Sequence, residues 1–242
     1  MTPPLFFVAE LPDGDTLELG GDEGRHAARV KRLGVGEPVL ISDGAGTLLS
    51  CTVSSAAGDG LTLAVVSRQI VPAAQPRLVV VQALPKGERA DLAVEVLTEL
   101  GADEIVPWAA SRSIVRWLGP RGDRALEKWR RTAREAAKQS RRAWVPSLAP
   151  LASTADVADR LARATGLVLH EDARDGLASV ELPVGRDVVV VVGPEGGIAP
   201  DELADFVAVG GRTVRLGEPV LRTSTAGAAA LAVLSAKLGR WS

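Results

Sequence analysis

The sequence predicts an α/β chain in two parts: a β-rich accessory domain over residues 1–72, then an α/β domain with several parallel strands over residues 73–242. Three observations predict it. Short alternating or apolar pieces separated by Gly, Asp and Ser crowd residues 5–72. Beyond residue 76, short continuous apolar runs alternate with stretches of helical spacing. The fivefold Val run 188–192 is most economically a central strand buried on both faces.

In the first part, Val39–Ser42, Leu48–Val53 and Leu61–Val66 read as strands, with hairpin turns at Asp43–Gly44–Ala45–Gly46 and Gly58–Asp59–Gly60. His26 to Arg32 reads as one basic helical turn among them. Val71–Pro76, holding two prolines, fits neither period and serves as the linker. Leu78–Val81 then suits a covered parallel strand, and residues 88–100 suit a helix with apolar positions at Leu92, Val96 and Leu100, which Gly101 can end. Ile105–Pro107 is the next strand. Over 124–140, Ala125, Leu126, Trp129, Ala133, Ala136 and Ala137 supply one helix side, and Arg124, Lys128, Arg131 and Lys138 much of the other. Val157–Ala164, Leu167–Leu169, Asp187–Val192, a helix after Pro200, Thr213–Leu216 and Thr223–Leu238 continue the alternation.

Composition narrows the function. A chain of 242 residues that is 46% apolar has ample material for a core. The net charge of −2 excludes a uniformly basic coat, but residues 111–142 hold eleven Arg or Lys against three acids, while residues 1–72 hold nine acids against five bases. Such concentrated basic charge suits phosphate contacts, or equally a solvated helix surface. Trp117 and Trp144 admit base stacking or core packing. A single cysteine, Cys51, excludes an intrachain disulfide and a Cys-rich metal site, and two histidines without an acidic cluster give no metal centre. With no secretory signal and no apolar stretch of membrane-spanning length, the expected location is cytoplasmic.

Chemistry concentrates near the C-terminus. The Val run continues into Gly193–Pro194–Glu195–Gly196–Gly197, where backbone can approach a ligand closely; Leu216–Gly217–Glu218–Pro219–Val220–Leu221–Arg222–Thr223 follows about twenty residues later. In an α/β protein such loops lie where ligands bind. A tight structural turn is the competing reading. Glu195 admits three: a helix N-terminal acid, a solvent-facing charge or a ligand-positioning carboxylate. GxGxxG and GxxxxGK[ST] are both absent, which weakens dinucleotide and P-loop readings. Lys86, in Pro85–Lys86–Gly87–Glu88, could meet an anion or be a solvated loop lysine.

Taken together, the ordered motifs resemble those of the bacterial 16S ribosomal RNA uridine N3-methyltransferases, members of the SPOUT class. They run from His26–Ala27–Ala28–Arg29–Val30–Lys31–Arg32 through Leu84–Pro85–Lys86–Gly87, Thr98–Glu99–Leu100–Gly101–Ala102 and Glu135–Arg142 to Val192–Gly197 and Leu216–Ala226. The resemblance implies an N-terminal PUA-like RNA-binding β-barrel, a C-terminal trefoil-knotted parallel sheet, S-adenosylmethionine as methyl donor, 16S ribosomal RNA as substrate and a homodimer. It assigns the donor site to Leu169, His170, Gly193, Glu195, Gly196, Gly197, Leu216, Gly217 and Leu221. Arg222 becomes the catalytic candidate, a cation beside the reacting base. RNA capture falls to Arg25, His26, Arg29, Lys31 and Arg32, with Arg112, Gln139, Arg141 and Arg142 near the catalytic domain. Two positions depart from the family pattern: Val96, often Lys, and Ser224, within what is often Thr–Glu–Thr–Ala.

Overall fold

The computed structural model describes residues 2–241, which form two compact units. The first comprises residues up to Ala73 together with Ala137–Val145, and the second Ala74–Ala136 with Pro146 onward.

The first unit holds a five-stranded mixed sheet of β1 (Leu5–Phe7), β2 (Thr16–Leu19), β3 (Pro38–Ser42), β4 (Thr47–Ala57) and β5 (Gly60–Ile70), in the order β1-β3-β4-β5-β2. Only β1 and β3 pair in parallel. Period-two burial along β4 puts Leu49, Cys51 and Val53 inward with Leu61 and Leu63 of β5, as a one-sided sheet requires. Burial pushes the Cys51 thiol pKa up, so it stays a packed, protonated thiol. The basic helical turn expected at His26–Arg32 is present as one π-helical turn over His26–Val30, which continues a short helix, α1 (Gly21–Arg25). Segment 143–145 returns to this unit: Val145 N–H donates to Gly44 O at 2.9 Å, and Trp144 Nε1 donates to Val71 O at 2.9 Å. A Cβ on Gly46 would meet the Trp144 ring at 2.6 Å, so this turn admits only glycine there.

The second unit is a six-stranded all-parallel sheet between helices. Its strands are β6 (Leu78–Ala83), β7 (Glu104–Trp108), β8 (Ser147–Leu148), β9 (Thr165–Leu169), β10 (Val188–Val192) and β11 (Arg212–Val214), in the order β11-β9-β10-β6-β7-β8. Successive residues serve opposite faces. Leu78, Val80, Val188, Val190 and Val192 pack with α2 (Arg89–Glu99), Trp129 of α3 (Gly119–Gln139) and α6 (Thr223–Lys237). Val79, Val81, Val189 and Val191 pack with Val157 and Leu161 of α4 (Thr154–Arg163) and Phe206 of α5 (Pro200–Ala208). Two-sided cover explains why these strands read as continuous Val runs.

The helix faces correct one expectation. Leu92, assigned to the apolar side of α2, is exposed, Val96 and Leu100 are only partly buried, and the buried positions are Ala93, Val94, Leu97 and Thr98. α6 lies close against this face, where Gly227 makes room for Leu97: a Cβ on Gly227 would stand 2.9 Å from Leu97 Cδ2. Gly101, at φ +95°, does end α2, with Ala102 N–H donating to Leu97 O and Gly101 N–H to Thr98 O. Trp117 packs edge-on against Trp129 at 5.0 Å. Among the described residues no helix is long and apolar enough to cross a membrane.

Candidate functional site

The C-terminal ends of the parallel strands open into a cavity of about 800 Å³. Its walls are the loops after β9 (residues 170–172), β10 (193–198) and β11 (215–222), with Arg89 and Arg112 contributed by the connections after β6 and β7. Every residue assigned to the donor site, Leu169, His170, Gly193, Glu195, Gly196, Gly197, Leu216, Gly217 and Leu221, lines it, as does Arg222. Sequence reasoning did not find Arg89, Arg215, Leu203 or Ala226, which share the lining. Only their place at strand ends and helix starts could have marked them.

Local chemistry explains the shape. Gly193 leaves β10 beneath Ile198, whose Cγ1 would lie 2.8 Å from an added Cβ. Gly197 takes φ +73°, closing the turn with its N–H on Pro194 O at 2.9 Å. The exposed Glu195 accepts the Lys86 backbone N–H at Oε1, 3.1 Å, so its carboxylate ties the loop after β6 to the glycine-rich loop. Arg112 Nη1 donates to Gly196 O at 3.1 Å, which places this arginine in the cavity wall.

Residues 216–222 form neither helix nor strand, so no ladder consumes their backbone amides. Arg222 is exposed at the N-cap of α6, where its carbonyl accepts from the N–H groups of Thr225 and Ala226. Gln82 Nε2 reaches Thr223 O at 3.3 Å and holds this first turn over the sheet. His170 Nδ1 accepts the Asp172 N–H at 3.2 Å, which leaves Nε2 as the ring nitrogen able to donate. The departing residues differ in setting: Ser224 is buried in the first turn of α6, and Val96 is partly buried on α2.

Of the RNA-capture candidates, Arg112 alone joins the cavity. Arg25, His26, Arg29, Lys31 and Arg32 lie in the first unit, and so do Gln139, Arg141 and Arg142, because segment 137–145 clusters there. Arg25 pairs with Asp22 and Arg29 with Asp59, all substantially exposed. His26 stands edge-on to Phe6. Arg32 and Arg141 hold left-handed backbone at φ +54° and +56°, and Arg141 Nε donates to Pro3 O at 3.0 Å.

Apolar walls from Leu169, Val192, Ile198 and Leu203 sit beside glycine backbone and charged loop residues, the mixed lining of a small-molecule site. Residues 73–235 match the family model described as an RNA methyltransferase domain, and residues 19–66 one described as an RNA methyltransferase PUA domain. The ribosomal RNA small subunit methyltransferase E proteins of Mycobacterium bovis and Mycobacterium tuberculosis are each 45% identical to this chain, covering 100% of it and 94% of their own length. A crystal structure of ribosomal RNA small subunit methyltransferase E from Neisseria gonorrhoeae bound to S-adenosyl methionine is 27% identical, with a TM-score of 0.87 and 98% of both chains covered. A methyltransferase structure from Legionella pneumophila in complex with the same cofactor is 25% identical, with a TM-score of 0.86 over 98% of both chains. By these measures the chain belongs to the ribosomal RNA small subunit methyltransferase E family.

Proposed function

We propose that this chain transfers the methyl group of S-adenosylmethionine to N3 of one uridine in 16S ribosomal RNA. The observation that carries the reading is the convergence of three glycine-containing or extended loops and Arg222 on one cavity at the C-terminal edge of the parallel sheet. Bound there, the donor supplies an electrophilic sulfonium methyl. Uridine N3 forms the new N–C bond as the S–C bond breaks, and its proton leaves to solvent or base. Gly193, Gly196 and Gly197 shape the donor's bed, Leu169, Leu216 and Leu221 flank it, and His170 offers an Nε2–H donor. Arg222, permanently cationic, stabilises negative charge developing on the uracil ring and is no general base. N3 lies on the pairing edge, so the target base is unpaired or extruded.

The remaining parts follow the same reading. The mixed sheet, 1–72, is a PUA-like barrel that captures RNA through Arg25, His26, Arg29, Lys31 and Arg32. Gln139, Arg141, Arg142 and Arg112 add phosphate contacts. The C-terminal part, 73–242, is a trefoil-knotted SPOUT domain that works as a homodimer. Support for the knot comes from the β9–β10 connection, which pairs side by side, in parallel, with the chain leaving β11: Arg215 N–H donates to Asp175 O at 2.9 Å, and Leu177 N–H to Arg215 O at 2.8 Å. Immature small ribosomal subunits incubated with labelled S-adenosylmethionine test the function. Label mapped to uridine N3 is the expected result; label on another atom or nucleotide, or none, rejects it.

A further inference from the structure

We propose that Glu202 is a positioning residue for methyl transfer, holding the loop that carries Arg112 against the glycine-rich wall of the cavity; this rests on the methyltransferase reading above. Glu202 lies in the first turn of α5 and is only 4% exposed. Its carboxylate is shared among three segments. Oε1 accepts the Ser111 N–H at 2.8 Å and the Thr154 hydroxyl at 3.0 Å, and Oε2 accepts the Ala199 N–H at 3.2 Å. A carboxylate buried this deeply is tolerated because its oxygens are met by donors.

The arrangement reaches the cavity through one residue. Ser111 precedes Arg112, and Arg112 donates to Gly196 O. Arg116 closes the same loop from behind, bonding Ala110 O at 3.2 Å and Ser111 O at 2.8 Å. The fit is close: a Cβ on Gly196 would stand 3.3 Å from Arg112 Cβ. Glu202 therefore anchors both the start of the arginine loop and, through Ala199, the end of the loop that begins at Gly193. Its loss frees two walls to shift relative to each other, and small misplacements of reacting groups cost rate heavily.

A double-mutant cycle tests this. Glu202→Gln and Arg112→Ala are each expected to lower kcat/KM about tenfold, and the double variant no further than either alone. Unchanged kcat/KM in Glu202→Gln, or losses that multiply to about a hundredfold, would overturn the proposal. Glu202→Gln keeps one acceptor oxygen, so it carries the cycle if Glu202→Ala fails to fold. Amide hydrogen exchange gives a readout independent of turnover. In Glu202→Gln, amides of residues 110–116 should exchange faster while those of β10 keep their protection; equal exchange in the loop rejects the role. Failure of the methyl-transfer reading is seen separately, as wild-type protein that leaves uridine N3 unlabelled, and the exchange experiment then decides the role of Glu202 in holding the loop.

Discussion

The two ends of the six-stranded parallel sheet carry the same kinds of residue to opposite purposes. At the N-terminal ends of the strands, charge is met by charge. Glu104 lies between Arg77 at 3.0 Å and Arg160 at 2.8 Å, Asp187 accepts the Arg77 N–H at 2.9 Å, and Asp103 accepts both the Leu78 N–H and the Arg240 guanidinium. At the C-terminal ends, Arg89, Arg215 and Arg222 stand around an open cavity beside Glu171, Asp172 and Glu218. At the first edge these charges hold one another in ion pairs, and at the second they surround the cavity of the candidate site. On the proposed function, the first group keeps the sheet together and the second does the chemistry.

That contrast is breakable. Arg222→Ala should lower kcat for methyl transfer about 10²–10³-fold while leaving Tm and S-adenosylmethionine affinity near wild type, as removal of a group that acts on developing charge does; calorimetry and turnover assays read both. Retained turnover removes Arg222 from the chemistry. At the opposite edge, Glu104→Ala leaves two half-exposed guanidinium groups without their acceptor and should cost about 1–2 kcal/mol, a Tm fall of roughly 3–6 °C, with unchanged kcat. Loss of turnover without loss of stability would collapse the distinction between the edges.

Smaller effects sharpen it. Gly193→Ala forces Ile198 aside and should weaken S-adenosylmethionine binding about fivefold by titration calorimetry, with little change in Tm. Back at the N-terminal edge, bonds from the Ser153 hydroxyl and N–H hold the Asp156 carboxyl below its ordinary 3.8. A depressed carboxyl contributes stability that is present above pH 3.8 and lost as pH falls through the folded value. Asp156→Asn should therefore lower Tm slightly at pH 7, and the gap from wild type should close as pH falls well below 3.8. A gap independent of pH assigns the effect to the helix cap alone.

The parts of the site legible in sequence are those where backbone does the work. Gly193–Gly197 and Leu216–Arg222 stand out because Gly and Pro interrupt the chain just after apolar strand residues; a tight turn remained the competing reading in sequence, and both loops line the cavity. The methyltransferase family, inferred from ordered motifs, is borne out by relatives matched over the whole chain. Glu202 was illegible because an acid at the third helical position reads as a cap, and only the fold brings Ser111 to it across 91 residues. The face of α2 was misjudged for a related reason. Leu92 and Val96 advertise burial by side-chain chemistry, whereas the face that is buried runs through Ala93, Val94, Leu97 and Thr98, with Leu97 set against Gly227 of α6. Trp144 likewise offered no choice between stacking and packing until its indole met Val71 O.

The return of residues 137–145 to the first unit has a bearing on synthesis. Trp144 and Val145 supply hydrogen bonds that the turn at Gly44–Gly46 and the strand end at Val71 use, so a nascent chain holding only residues 1–72 lacks part of its own fold. That unit reaches completion only after β6, α2, β7 and α3 have left the ribosome. Maturation is thus interleaved rather than domain by domain: the unit that begins first must wait for most of the first hundred and fifty residues, and a cut at the linker would strip it of residues 137–145 while leaving the second unit every strand and helix of its own.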